Sequence, residues 1–402
     1  MLFILYINDI ITDIVCHIRL FADDTTLYLI VENPEESARI INSDLEKIST
    51  WAKNWLVKFS PPKTKSITFS RLRNRPVHPP LVFDNTAIDE EENHKHLGVV
   101  LSHDGTWTAQ VNSMVCRGNK ALNVLRKLKR VLDRKTLYRL YCSQVRPLLE
   151  YADCVWVNLT QELVEKLEEL NREAARLIIG APRGTRHCLL YKESGLEKLE
   201  DRRRKHKLTL YFKMKKELVP PYLSLRARVP PYQPHGHYLR NREDDNVMQT
   251  NTSSYKNSFI HSTIRDWNSL PARYRDLNQD VATFKSKLNS DKPKVPEYYF
   301  TGCRKYQMIH ANMRTQSTNL NFHLYERYLS DDCSCECGAV VEDPSHNLRE
   351  CVRYRATRTE IFGHHVPCIN DLLFGSNSLS TDQNKELFLK VLDFIAQSKR
   401  FG

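Results

Sequence analysis

The sequence predicts an α+β fold: a small antiparallel sheet with one helix over it, then a mostly helical region, then a small Cys/His module. Three observations carry this. Residues 15–31 hold two runs rich in β-branched and aromatic side chains, broken at Ala22-Asp23-Asp24. Residues 107–216 repeat apolar side chains at helical spacing. Four cysteines and a histidine crowd into residues 333–351.

Taken in order, Val15 to Leu20 and Thr25 to Val31 read as strands, with the Asp pair at the bend. Residues 1–14 read as a buried helical stub before them. Pro34-Glu35-Glu36-Ser37 starts an amphipathic helix over 34–57, with Ile40, Ile41, Leu45, Ile48, Trp51, Ala52 and Trp55 at helical spacing. Residues 66–101 give several short strands, including Ser66 to Phe69. Four helices follow. Met114–Leu132 is basic and amphipathic, and Lys135–Leu149 ends near Pro147. Gln161–Ile179 carries the stripe Leu163, Leu167, Leu170, Ala174, Ile178 and stops at Gly180-Ala181-Pro182. Glu200–Glu217 is the fourth. Residues 218–254, with Pro220-Pro221, Pro230-Pro231 and Pro234, read as a linker. Phe259, Ile264, Trp267, Leu270, Phe284 and Leu288 pack a small helical unit over 255–300.

The chain has 402 residues and a net charge of +12, unevenly placed. Residues 1–100 carry a net −3, residues 101–220 a net +11, and residues 221–402 a net +4. A localised basic stretch is an electrostatic footprint for a polyanion, or else a solvated helical surface. The first choice for phosphate contacts is Arg126, Lys127, Lys129 and Arg130 on the first helix and Arg202, Arg203, Arg204 and Lys205 on the fourth. Acidic residues within Gln161–Ile179 predict that the third helix faces away from such a ligand. No apolar run is long enough to cross a membrane, and the scattered cysteines fit reduced thiols, so an intracellular site, nuclear or cytoplasmic, is expected.

Asp23 and Asp24 on a tight bend are hard oxygen ligands suited to Mg²⁺, and such an ion shared with substrate phosphates serves phosphoryl transfer. A solvated Asp-Asp turn is the plain alternative. At the other end, Cys335, Cys337, His346 and Cys351 give C-x-C-x8-H-x4-C, a donor set for a closed structural Zn²⁺ site, with Cys333 a competing ligand and a run of free thiols beside a surface His the plain alternative. Gly338 relaxes the turn after Cys337. A module this small is expected to have little core of its own, so that a metal would supply much of its folding energy.

These blocks occur in a telling order. Leu2 to Ile10 precedes Phe21-Ala22-Asp23-Asp24. Trp51-Ala52-Lys53-Asn54-Trp55-Leu56 then leads to Pro61-Pro62-Lys63-Thr64-Lys65, and His96-Leu97-Gly98-Val99-Val100-Leu101 follows. The series resembles the reverse transcriptases of jockey-like non-LTR retrotransposons, whose C-terminal ends carry a similar Cys/His cluster. The resemblance implies a partial polymerase palm over residues 1–106, a helical thumb-like region over 107–217, the Pro-rich linker 218–254, the helical unit 255–300 and a zinc module, like a zinc knuckle, over 301–402. It implies Asp23 as the main Mg²⁺ ligand, Asp24 as an outer partner, and Lys63 near the leaving pyrophosphate, although Lys63 reads equally as an exposed turn lysine. Leu97-Gly98 would belong to a hairpin resembling the primer grip. An RNA template and a DNA primer or target are the implied partners.

The chain departs from that family where it begins. The family's fingers, its first catalytic aspartate and its Gly/Gln block have no counterpart in these residues, so a two-metal clamp is not expected in cis. The expectation is a truncated RNA-directed DNA polymerase, inactive alone. The alternative is a non-catalytic nucleic-acid-binding protein using the basic helices and the zinc module.

Overall fold

A computed structural model describes residues 2–70, 72, 77–227, 244–247, 249–290 and 292–401. The chain forms two compact units, Met1–Ser113 and Met114–Gly402. The stretches read from sequence as 255–300 and 301–402 both lie in the second.

The first unit opens with α1 (Leu2–Tyr6) and a 3₁₀ turn, Asn8–Ile11. The stub is not buried as expected. Ile7 and Ile10 face inward, while Phe3, Leu5, Tyr6 and Ile11 are exposed. The hairpin of β1 (His17–Phe21) and β2 (Asp24–Tyr28) comes next. Ile18, Leu20 and Leu27 turn inward and the alternate residues of β1 turn out, the period-2 pattern of a half-buried strand. α2 (Pro34–Asn54) lies over this face, packing Leu45 and Ile48 with Ile10 and Phe83. Its N-cap is Asn33, whose side chain accepts the amides of Glu35 and Glu36 at 2.9 and 3.3 Å, and Pro34 follows where a missing N–H costs nothing.

The remaining strands are β3 (Lys65–Ser66), β4 (Val82–Phe83), β5 (Thr86–Ala87), β6 (Asp89–Glu90), β7 (Asn93–His96) and β8 (Val99–Ser102). A single antiparallel sheet does not form among the described residues. There are four two-stranded ladders instead, and β3 pairs with β6 in parallel. The strand expected over Ser66 to Phe69 therefore shrinks to the two residues of β3, and Phe69 is exposed. Leu97 and Gly98 form the loop between β7 and β8 with φ of +45° and +82°, a turn that matches strand twist rather than a bulge.

α3 (Thr108–Leu128) begins at the end of the first unit. Its Gly118 lets the helix approach closely: a Cβ there would meet Leu149 at 3.0 Å and Leu170 at 3.1 Å. α4 (Arg134–Leu140) and α5 (Arg146–Glu150) are joined by a π-turn, Tyr141–Val145. This explains how the chain stays helical through Pro147. The wider turn, with Arg146 N–H reaching Tyr141 O, absorbs the clash a proline ring makes with the preceding turn. α6 (Gln161–Ile179) matches its expected bounds, buries its whole predicted stripe, and ends at Gly180 with φ +74°.

α7 (His187–Ser194), α8 (Leu199–Lys215) and α9 (Pro221–Ala227) follow. The linker reading is corrected at its start, where Pro221 opens a helix; Pro230, Pro231 and Pro234 lie outside the described residues. α10 (Ser253–Lys256), α11 (Phe259–Asn268), α12 (Ala272–Arg275) and α13 (Val281–Leu288) come next. Ile264, Trp267, Leu270 and Phe284 pack on Leu208, Tyr211 and Phe212 of α8, so these helices share one core with it.

The last part comprises α14 (Arg304–Arg314), α15 (Asn321–Tyr325), α16 (Arg355–Phe362), α17 (Ile369–Phe374) and α18 (Thr381–Ser398). It does have a substantial core, against expectation: Tyr299, Met313, Leu348, Leu372, Phe388, Val391 and Phe394 are buried together, with Cys335 and Cys351 among them. Arg314 of α14 clasps Glu193 of α7 through Nε at 2.8 Å, and Arg134 of α4 grips the same carboxylate at 2.8 Å.

Candidate metal centres and basic cleft

The β1–β2 register runs from His17↔Tyr28 to Phe21↔Asp24, which leaves Ala22 and Asp23 as a two-residue loop. Ala22 adopts φ +52°, a strained choice for a residue with a Cβ. Asp23 and Asp24 are exposed, and neither carboxylate is paired among the described residues. Asp44, buried in α2, sets where the hairpin starts. Its carboxylate accepts the amides of Val15 at 2.9 Å and Cys16 at 2.7 Å. Lys47 Nζ, 2.8 Å away, completes the group and also donates to Asp13 O at 2.7 Å. Burial opposes ionisation of Asp44, yet the Cys16 amide and Lys47 outweigh it and hold its pKa below the ordinary value. Burial, followed by the bond to Asp44, pushes the Cys16 thiol up to about 12.

Lys63 ends the 3₁₀ turn Pro61–Lys63, is exposed, and makes no ion pair with Asp23 or Asp24. No third potential ligand joins the two aspartates; among the described residues the one group of three or more possible metal ligands lies elsewhere.

That group is Cys335, Cys337, His346 and Cys351, whose ligand atoms all lie within 4.8 Å of one another. The Cys335 and Cys351 Sγ atoms are 3.9 Å apart, and Cys337 Sγ is 3.3 Å from His346 Nε2. Two ligands about 2.3 Å from a common ion at the tetrahedral angle lie about 3.8 Å apart, so the donor set fits zinc. Gly338, at φ +94°, turns the chain after Cys337. His346 and Cys351 bracket a π-turn, His346–Glu350, closed by Cys351 N–H to His346 O at 2.7 Å. Five positions apart, they would not share a face of a 3.6-residue helix; the wider turn brings them together. Arg358 locks that turn by donating to Leu348 O at 2.9 Å and Cys351 O at 2.8 Å. Glu342, held by Arg400 at 2.6 Å, sits 3.9 Å from Cys335 Sγ. Cys333 stands outside the group, directed at Val340 O. Burial pushes the Cys335 thiol up to about 12, whereas the Ala339 amide lowers that of Cys337.

The two predicted basic sets part company. Lys127, Lys129 and Arg130 are exposed, and Arg126 is paired with Glu173 at 3.3 Å. The Arg202–Lys205 run is largely tied up in ion pairs and burial. Arg202 is bound to Glu150 and Glu197, Arg203 is buried against Trp156, Arg204 bonds Asp266 at 3.1 Å, and Lys205 pairs with Glu197. Glu173, Arg176 and Leu177 of α6 line the same cleft as Arg126, Lys129 and Arg130.

No family model matches the chain. Over 192 residues, 46% of its length, it is 25% identical to a probable RNA-directed DNA polymerase from transposon BS of Drosophila melanogaster. It is 22% identical over 193 residues, again 46% of its length, to a probable RNA-directed DNA polymerase from transposon X-element of the same organism. The chain is similar to transposon RNA-directed DNA polymerases. Each match covers 21% of the relative's own length, so the shared part is a minor share of either protein. No helix of the described residues is long and apolar enough to cross a membrane.

Several residues that shape these sites carried no readable signal. Asp44 looks like one more polar position on a helix, and Arg358 like one more surface arginine. Their roles depend on backbone groups brought near by folding.

Proposed function

We propose that this chain is part of an RNA-directed DNA polymerase of a jockey-like non-LTR retrotransposon, supplying part of a palm, a thumb-like helical region and a zinc-binding C-terminal module. What carries the reading is the strained two-residue hairpin presenting Asp23 and Asp24, in a chain similar to two transposon polymerases. Asp23 is assigned as the main Mg²⁺ ligand and Asp24 as the outer one. Such an ion, when bound, neutralises charge on phosphates during transfer. The chain's own contribution is to fix the entry to the hairpin through Asp44 and to offer Lys63 as a cation for the leaving group. Cys335, Cys337, His346 and Cys351 are assigned to one structural Zn²⁺. Template RNA and primer DNA are the assigned partners.

A clamp of two metal ions needs more carboxylate oxygen than this hairpin offers, so the chain alone is expected to lack polymerase activity. Primer extension on a primed RNA template with Mg²⁺ or Mn²⁺ tests this. Extension that disappears in Asp23→Ala would show a complete site and overturn the expectation. The absence of a third ligand beside Asp23 and Asp24 among the described residues also favours a second reading, a non-catalytic nucleic-acid-binding protein.

A further inference from the structure

The ends of α3 and α6 and the start of α14 enclose a cleft of about 760 Å³. Among the described residues, seven of its lining side chains are cationic and only Glu173 is acidic. That carboxylate is already engaged by Arg126 and Arg176, each at 3.3 Å. Arg304 has no carboxylate partner among the described residues. Its guanidinium instead donates to Lys129 O at 2.9 Å, Leu177 O at 2.9 Å and Ile178 O at 3.1 Å. Burial, then nearby Arg134, brings the pKa of Arg304 down to about 10, against a smaller opposing pull from Asp133. Lys129, Arg130, Arg183 and Lys305 are exposed and likewise have no carboxylate partner among the described residues. The rest of the lining among the described residues is aliphatic or backbone (Leu177, Gly180, Ala181, Met308) and holds no aromatic ring.

Crowded like charges repel, and an anion in the cleft relieves them. Several cations spaced around a groove without a stacking surface suit a chain of phosphates recognised by charge rather than by base. The volume lies in the small-ligand range of roughly 300–1,000 Å³, room for a few nucleotides of one strand.

We propose that this cleft binds the phosphodiester backbone of a single nucleic-acid strand. Lys129, Arg130, Arg183 and Lys305 contact phosphates, and Arg304 is a positioning residue that ties α14 to the end of α6. This rests on the nucleic-acid reading above and extends it: Arg183 and Lys305 come from segments that charge patterning along single helices does not connect.

The test is binding of a short fluorescent oligo(U) to the full chain over a salt series. R183E/K305E is compared with K285E/K385E, which makes the same charge change at exposed lysines outside the cleft. All four side chains are free of ion pairs among the described residues, so folding is not at risk from a broken pair. R183E/K305E should weaken binding roughly tenfold and flatten the log–log salt slope by about 1.4, two single-strand contacts at about 0.7 each, while the control pair changes little. Equal losses in the two variants would overturn the cleft and leave general nucleic-acid binding standing. A wild-type chain that does not bind oligo(U) would overturn both. A duplex RNA of the same length bound as tightly, with the same loss in R183E/K305E, would overturn the single-strand assignment.

Discussion

The carboxylate of Asp44 accepts the backbone amide of Cys16 at 2.7 Å, so a side chain of α2 fixes the entry to the aspartate hairpin. The Val15 amide and Lys47 bind the same group. Replacing Asp44 with Ala leaves the Val15 and Cys16 amides without an acceptor and Lys47, still bonded to Asp13 O, without its counter-charge, and should cost about 1–3 kcal/mol. A lowered urea midpoint for the first unit checks this. Because folding depresses the Asp44 pKa, its contribution is complete above the ordinary value of 3.8 and is lost as pH falls below it. Asp44→Asn should lack that acid step.

Glu193 makes a similar but deeper contact. It is almost fully buried; burial alone would raise its pKa, but Arg314 and then Arg134 hold it down at about 2. The stability it confers is present above 4.5 and drains away as pH falls from there toward about 2. Glu193→Gln leaves two buried guanidinium groups without a counter-ion and should cost about 3–5 kcal/mol. Thermal unfolding from pH 7 to pH 2 should show a steep acid limb in the wild type and a shallow one in the variant.

The metal-ligand cluster should carry about one equivalent of zinc, since four N/S donors close one tetrahedral site. Cys351→Ser should abolish it and Cys333→Ser should not, because Cys333 lies outside the group. The surrounding core leaves much of the fold independent of the ion. On chelation, amide exchange should rise in residues 333–351 while α18 keeps its protection. Zinc retained in Cys351→Ser would contradict the assignment.

The Arg202 guanidinium lies between Glu150 and Glu197 and holds three segments together. Arg202→Ala should lower the melting temperature of the second unit and leave oligo(U) affinity within about twofold, since a group already paired has little charge to offer phosphates. A large affinity loss without destabilisation would restore the sequence-based view of that helix.

The contrast between the two basic sets marks where the sequence was legible. Local patterns carried through: the bounds of α6, its stop at Gly180, the span of α2 and the aspartate bend all follow from short-range periodicity or turn chemistry. What failed needs partners distant in the chain. Arg202 finds Glu150 fifty-two residues away, and Arg314 finds Glu193 across one hundred and twenty-one. The π-turns at Tyr141–Val145 and His346–Glu350 were also hidden, because a widened turn leaves no periodic mark of its own. The C-terminal core went unseen because its apolar residues are spread over 299–395 rather than gathered in one stripe.

In the proposed function, Asp23 and Asp24 form the divalent-metal end of a polymerase site. Titration of the full chain with Mn²⁺, followed by electron paramagnetic resonance, tests it most directly. Weak binding at the hairpin should strengthen when deoxynucleoside triphosphate is added and be lost in Asp23→Asn. Mn²⁺ binding that is the same in wild type and Asp23→Asn, with or without nucleotide, would contradict it and leave the non-catalytic reading in its place.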